Sequence, residues 1–168
     1  MKENLAIEQL LKIRLARAVG HDLKISGMLH IVLKDAAGQI KDDEITRNLI
    51  VTAGRQHAAD QMAGQTQAAM SHMAIGTGTA AAALTDTALQ TELDRNALAA
   101  KTQGEGTDAN KVTFQADWGA GDGTGAITEA GIFNSASAGT MLCRSVFAVK
   151  NKGAGDTLSL TWTLTFSA

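Results

Sequence analysis

The sequence contains no proline and no tyrosine, only one cysteine, and few aromatic residues, which make up 4% of the chain. The single cysteine, Cys143, excludes an internal disulfide framework and a zinc cluster built from several cysteines. It lies in the apolar run Met141–Cys143, a context that predicts a buried, inert thiol. Glycine is abundant, at 17 residues. Because disordered linkers usually carry proline and charge, many glycines without proline indicate an ordered chain with many tight turns.

An excess of one charge and long hydrophobic runs are missing as well. The 15 basic and 17 acidic residues leave a formal net charge of -2, so global charge gives no argument for binding nucleic acid or an anionic membrane. No apolar run reaches the ~18 residues of a membrane span. The charged start of the chain, with Glu8 and Lys12, differs from a secretion signal. We therefore expect synthesis in a host cytoplasm, with no membrane partner and no nucleic-acid partner.

Residues 1–22 are predicted to form a helical arm. Within 4–19, apolar residues recur at helical spacing and Gly20 supplies a stop signal, which predicts an amphipathic helix of about four turns. The candidate partner-binding residues are Ile7, Leu11, Arg14, Leu15 and Arg17. We expect the apolar stripe to dock on a partner or a symmetry mate, and the arginines to meet acidic groups at its rim. Packing on the chain's own domain is an equal alternative, because amphipathicity does not tell whose core a stripe enters.

After the arm, the pattern changes from helical to extended. Alternation over residues 28–33, a turn at Asp35–Gly38 and a second extended stretch over 39–51 predict a β-hairpin. Thr52 is predicted to cap one short helix near residues 53–63. The next strand is predicted before the first glycine-rich loop.

The C-terminal half gives the clearest strands. Residues 112–118 and 158–166 each alternate apolar with polar residues, which predicts half-buried strands with one wet, threonine-rich face. Trp118 falls on the apolar face of the first of these strands and Trp162 on that of the second. Two shorter apolar strands are predicted between them.

Residues 91–101 decide the predicted strand count. If they are extended, the total reaches about eight strands, the number of a two-sheet sandwich of jelly-roll type. A helix over 88–100 stays an open alternative, because Leu89 and Leu93 also fit helical spacing. The predicted fold is mainly β: a two-sheet antiparallel sandwich of jelly-roll type over 23–168, with the N-terminal helix and one short helix added.

The glycine-rich loop that begins at Gly76 resembles, in part, a phosphate-binding loop. A P-loop needs a lysine directly after its glycines, and here no lysine occurs until Lys101. A dinucleotide-binding fingerprint needs a third glycine within a strand–helix–strand unit, which this sequence does not predict. We interpret the loop as a structural turn, closed by hydrogen bonds from nearby backbone amides to Asp86.

No catalytic or metal-binding pattern stands out. The four histidines show no metal-ligand spacing, so we expect surface or interface roles for them; only His57 and Asp60 would share a helix face. Asp117, Asp122 and Glu129 lie near glycine turns without calcium-loop spacing, and we interpret them as solvated turn carboxylates. No nucleophile elbow is present. We therefore predict a protein that is not an enzyme and that uses no cofactor and no metal.

Several segments, taken together, carry a resemblance to a known family. They are RNLIVTAG at 47–54, MAIGTGT at 73–79, LTDTAL at 84–89 and ITEAGIF at 127–133. The pattern continues through GTMLCR at 139–144, NKGAGD at 151–156 and LTWTLTF at 160–166. In that order and spacing they resemble a group of small virion structural proteins of tailed bacteriophages, over residues 45–168.

The resemblance implies an all-β module and transfers no catalytic residues. Members of the group are capsid cement or decoration proteins, or parts of tail fibres and baseplates. We therefore expect a homo-oligomeric virion structural protein, and a capsid cement protein is the leading interpretation. It would lie on the outer capsid surface, bind the major capsid protein, bridge capsomers and stabilise the mature shell. A tail-fibre, collar or baseplate component, with other tail or neck proteins as partners, is the alternative. A host-glycan-binding module is the remote alternative.

Overall fold

A computed structural model describes residues 23–167 of the chain. The predicted helix over 4–19 lies outside these residues. In chain order the strands are β1 (Lys24–Lys34), β2 (Ile40–Arg47), β3 (Leu49–Ile50), β4 (His72–Gly76), β5 (Glu92–Ala97), β6 (Ala100–Gln103), β7 (Lys111–Trp118), β8 (Gly125–Phe133), β9 (Met141–Lys152) and β10 (Thr157–Ser167). Helix α1 spans Thr52–Met62, and one 3-10 turn spans Gly106–Asp108. Within the described part of the chain, no helix is long and apolar enough to cross a membrane.

The strands form two antiparallel sheets of five strands each. Sheet A has the order β2-β1-β10-β7-β6, and sheet B has the order β3-β9-β8-β4-β5. The prediction of a mainly β, two-sheet antiparallel fold is confirmed, with ten strands in residues 23–167 instead of about eight. The difference arises because two predicted strands, 39–51 and 91–101, are each divided into two.

The second of these divisions is a crossing between the sheets. The amide of Leu98 donates to the carbonyl of Ser71, beside β4, at 2.9 Å, and the amide of Ala99 donates to Gln115 of β7 at 2.8 Å. The chain thus leaves sheet B after β5 and enters sheet A as β6. The helical alternative for residues 88–100 is wrong, because pairing with β4 and β7 satisfies this backbone.

The main core lies between the two sheets, where the alternation of β7 and β10 predicted it. Trp118 and Trp162 are fully buried in this core. On the opposite face of sheet A, Thr113 and Thr163 lie side by side, with their hydroxyl oxygens 3.3 Å apart. Cys143 is buried, as predicted, and burial raises the pKa of its thiol.

Helix α1 differs from the prediction at its start. Thr52 is the first helical residue and not the cap, and the preceding Val51 makes no side-chain capping hydrogen bond. The amide of Thr52 instead donates to the carbonyl of Leu84 at 2.9 Å, which links the helix to the β4–β5 loop. The helix ends at Met62, followed by Gly64 with a φ of +69°.

Candidate functional site

The β4–β5 loop, residues 77–91, covers the outer face of sheet B. A second apolar cluster is buried there, apart from the main core, and consists of Val51, Ala74, Leu89, Phe133 and Met141. Leu89 is the contribution of the loop to this cluster. The cluster fixes one end of the loop on the sheet by apolar contact.

Glu129 of β8 lies fully buried beneath this loop. A register shift between Ile127 and Glu129 interrupts the regular alternation of β8. The carboxylate of Glu129 accepts three backbone hydrogen bonds from the loop: from Gly78 at 2.9 Å, from Thr91 at 2.8 Å and from Gln90 at 3.0 Å. The prediction of a solvated turn carboxylate is therefore wrong for Glu129, because the loop excludes solvent from it.

Arg144 of β9 connects this carboxylate to the rest of the loop. Its Nε donates to Glu129 at 2.8 Å, its Nη1 to Asp86 at 2.8 Å, and its Nη2 to the carbonyl of Ala80 at 3.0 Å. Asp86 also accepts the amide of Ala83 at 2.9 Å, so the predicted role of Asp86 in closing the loop is confirmed. We call Glu129, Arg144 and Asp86 the loop anchor.

The groups of the loop anchor stabilise one another's charges. Burial by itself raises the pKa of the Glu129 carboxyl, but the amides of Thr91 and Gln90 and the Arg144 guanidinium outweigh burial and hold that pKa below its usual value. Burial also acts to raise the pKa of Asp86, and the Ala83 amide together with Arg144 lowers it by more. Both carboxylates are therefore ionised at neutral pH and serve as acceptors in fixed hydrogen bonds.

Two glycines, Gly76 at the end of β4 and Gly78 in the loop, make room for this arrangement. A Cβ at Gly78 would overlap the carboxylate of Glu129, and a Cβ at Gly76 would overlap the carbonyl oxygen of Thr91. The glycine-rich loop does hold an anion on its backbone amides, as a phosphate-binding loop does. The anion it holds is the carboxylate of Glu129, and the cation beside that carboxylate is Arg144 of β9, not a lysine after the glycines.

Two further buried charges connect the sheets. Lys150 of β9 donates to Asp42, at 2.8 Å, and to Glu44, both on β2 of the other sheet. Burial lowers the pKa of Lys150, but the two carboxylates raise it by more. Lys152 donates to the carbonyl of Gly119 at 2.7 Å, and burial lowers its pKa. These two lysines link the sheets at the edge of the sandwich. Their ammonium groups are engaged in contacts within the chain.

His57 is buried, so the predicted surface role is wrong for this histidine. With Gly54 it forms the buried face of α1, and its Nδ1 has no hydrogen-bond partner within residues 23–167. Burial lowers the pKa of His57, and Asp60 offsets this only in part. His30, in contrast, lies at the surface and pairs with Asp43 at 2.7 Å.

We expect acid to destabilise the protein through His57. Above the ordinary pKa of 6.5, the imidazole is neutral in both states and adds no pH dependence. Below it the unfolded chain binds the proton first, so the free energy of unfolding falls by up to about 1.4 kcal/mol per pH unit until the lowered folded pKa is reached. Urea unfolding between pH 7.5 and 5.0 should show the stability of the wild type falling relative to His57→Gln. A difference that stays constant with pH would contradict a buried neutral imidazole.

No family model, no curated protein and no solved structure matches this chain. Its candidate site is therefore defined by the residues alone. The loop anchor was not predicted, because Glu129 and Arg144 are separated by 15 residues and Asp86 and Arg144 by 58. The sequence offered one signal for this site: a charged residue, Glu129 or Arg144, within each of two predicted apolar strands.

The candidate partner-binding residues of the arm lie outside the described part of the chain: Ile7, Leu11, Arg14, Leu15 and Arg17. Their role stays a prediction. Within residues 23–167, no three histidine, cysteine or acidic side chains are grouped closely enough to hold a metal ion.

Proposed function

We propose that this chain is a non-enzymatic structural subunit of a tailed-phage virion, with a jelly-roll-like sandwich that serves as a capsid cement protein on the outer surface of the mature shell. The loop anchor is the observation that carries this proposal. The buried Glu129 and Arg144, the partly exposed Asp86 and three loop amides together fix one surface loop to sheet B. A loop that is ordered before binding loses less conformational entropy when it meets a partner.

The exposed surface of the loop suits contact with another protein. Its tip consists of small residues, chiefly alanine and threonine, and Leu84 adds an exposed apolar side chain. The backbone of Leu84 is fixed, since its carbonyl accepts the amide of Thr52. A weakly polar surface of small residues, fixed to the sheet by hydrogen bonds, can pack closely against a capsomer.

The proposed mechanism is mass action. A subunit that binds the expanded shell, and not its separated capsomers, lowers the free energy of the assembled state. Bridging requires a rigid body with more than one contact surface. The loop supplies one such surface, and Arg14 and Arg17 of the arm are candidates for another, facing acidic groups of the major capsid protein.

A tail-fibre, collar or baseplate role is the second candidate. The outer face of sheet A carries a broad set of threonines, and trimeric packing would bury it. Binding of host glycans is less favoured, because such sites usually present exposed aromatic rings. Both tryptophans, Trp118 and Trp162, are fully buried here.

Capsid binding tests the cement proposal. Purified full-length protein, mixed with tail-less expanded capsids, should bind to saturation at an icosahedral stoichiometry and raise the temperature at which the shells break. Unexpanded shells should bind little. Absence of saturable binding to expanded capsids would contradict the cement role. Saturable binding to isolated tails would support the tail-fibre, collar or baseplate role.

A variant of the loop tests where the contact lies. Leu84→Glu should weaken capsid binding by about tenfold or more, because it buries a charge against the capsomer. Thr107→Glu, an exposed position in the 3-10 turn, is the matched control and should bind as the wild type does. If Leu84→Glu binds normally, the loop is not the contact surface, although the cement role itself would stand.

A further inference from the structure

A groove runs between the first half of β1 and helix α1. It consists of two adjoining cavities of about 380 and 430 Å³, which share Ile25 and Arg55 in their linings. Residues 23–28 form one wall; residues 47–50 and one face of α1, from Arg55 to Met62, form the other. We call this feature the β1–α1 groove.

Three large apolar side chains that line the groove are exposed. The exposed fractions are 62% for Leu23, 47% for Met28 and 73% for Met62. Small residues of α1, Ala58 and Ala59, leave space between them. Exposed apolar side chains that converge on one concave surface mark an interaction site more often than scattered ones do.

The charges of the groove are all of one sign. Lys24, Arg47 and Arg55 line it, and none of the described lining residues is acidic. Elsewhere in residues 23–167, basic side chains are engaged in hydrogen bonds or ion pairs: Lys41, Arg95, Lys101, Lys111, Arg144, Lys150 and Lys152. Within residues 23–167, the lysines and arginines without a hydrogen-bond or ion-pair partner are Lys34 and the three groove residues. The groove therefore combines exposed apolar surface with positive charge that has no partner within residues 23–167.

We propose that the β1–α1 groove binds an acidic, amphipathic segment of another protein. Apolar side chains of that segment enter between β1 and α1, and its carboxylates pair with Lys24, Arg47 and Arg55. Arginine suits this role, because its planar guanidinium binds a carboxylate through two parallel hydrogen bonds. If the proposed function holds, the segment belongs to a neighbouring virion protein, but the chemistry of the groove does not depend on that assignment.

Charge argues against the chain's own arm as the occupant. The arm joins the groove at Leu23, and its residues 1–22 carry four basic side chains, Lys2, Lys12, Arg14 and Arg17, against three acidic ones, Glu3, Glu8 and Asp22. Docked there, an arm with a net positive charge would not neutralise the basic side chains of the groove. A two-fold contact between the grooves of two copies would bring the basic side chains of one copy against those of the other, where they would repel. An acidic partner would neutralise the basic side chains of the groove, which neither the arm nor a second groove would do.

Binding of a synthetic peptide tests the proposal with the full-length chain. The probe is a fluorescently labelled peptide of about four helical turns, with leucine at every third or fourth position and glutamate at the others. Matched peptides carry lysine or glutamine in place of glutamate. Fluorescence anisotropy should show the glutamate peptide binding at least tenfold more tightly than the lysine peptide. This advantage should disappear in 1 M NaCl, where the Debye length is only about 3 Å.

Variants of the groove locate the binding. The double variant Arg47→Glu/Arg55→Glu should reverse the preference towards the lysine peptide, and Met62→Ser should weaken binding of all three peptides. Lys34→Glu is the matched control, because Lys34 is exposed and lies outside the groove; it should bind as the wild type does. If the double variant does not fold, Arg55→Gln on the exposed side of α1 should give a smaller loss in the same direction.

Four results would overturn the proposal. The first is equal affinity for the glutamate and lysine peptides, and the second is wild-type binding by Arg47→Glu/Arg55→Glu. The third is a tenfold gain in peptide affinity in the arm variant Leu11→Ser/Leu15→Ser, which would mean that the arm occupies the groove. The fourth is dimerisation that the double charge reversal abolishes, which would assign the groove to a second copy. Peptide binding and capsid binding are separate measurements, so either proposal can fail alone.

Discussion

Replacement of Arg144 by methionine should lower the free energy of unfolding by about 3–5 kcal/mol, the range found when one partner of a buried ion pair is removed. Methionine fills much of the volume of arginine but provides no positive charge. Glu129 would then remain buried without its cationic partner, held only by the amides of Gly78, Gln90 and Thr91. Asp86 would lose its partner at the same time. Urea unfolding at pH 7 measures the loss.

A double variant separates the ion pair from simple packing. In Glu129→Gln/Arg144→Met the fully buried carboxylate is removed together with its cationic partner, and the glutamine oxygen can still accept the amides of Gly78 and Thr91. We therefore expect the double variant to be more stable than the sum of the two single losses predicts, by about 0.5–3 kcal/mol. Strictly additive losses would contradict the pairing. Lys34→Met, at an exposed lysine without a partner in the described residues, is the control and should change stability by less than about 0.5 kcal/mol.

Hydrogen exchange shows whether the anchor acts on the loop. In Arg144→Met the amides of Gly78, Gln90 and Thr91 should exchange faster than the falling global stability explains, since their acceptor is no longer fixed. Amides in the centre of β10 should follow global stability alone. Uniform acceleration at all amides would mean that Arg144 supports the whole sandwich and not the loop in particular.

The alternation of β7 and β10 was sufficient to predict their strands and the buried positions of Trp118 and Trp162, because a period of two directly reflects which side of a sheet a residue faces. The turn of the first hairpin was also predictable. Asp35 accepts the amides of Ala37 and Gln39, both at 2.9 Å, and Gly38 has a φ of +80°. These features depend on neighbours within a few residues.

The loop anchor was not predictable in the same way. Glu129 follows a register shift, after which the alternation no longer tells which face a residue occupies. The division of residues 91–101 between two sheets depends on the distant acceptors Ser71 and Gln115. Burial of His57 depends on the position of β9 against α1. In each case a contact between segments far apart in sequence overrides the local pattern.

Replacement of Gly54 by alanine should destabilise the protein, although alanine is the better helix former by about 1 kcal/mol. A Cβ at this position would overlap the carbonyl oxygen of Leu142. That carbonyl belongs to β9, which pairs with strands on both sides and has little freedom to move. Helix α1 would have to shift away from the sheet, and we expect a loss of about 1–3 kcal/mol or more, as for other overpacked sites.

Gly119→Ala is the matched control for this prediction, because its added methyl group would lie 3.5 Å from Asp122, an ordinary contact distance. Its stability should stay within about 0.5 kcal/mol of the wild type. Since α1 forms one wall of the β1–α1 groove, Gly54→Ala should also weaken binding of the glutamate peptide, whereas Gly119→Ala should not. A more stable Gly54→Ala protein would show that helix propensity dominates at this position, and that α1 does not pack on β9 as closely as described.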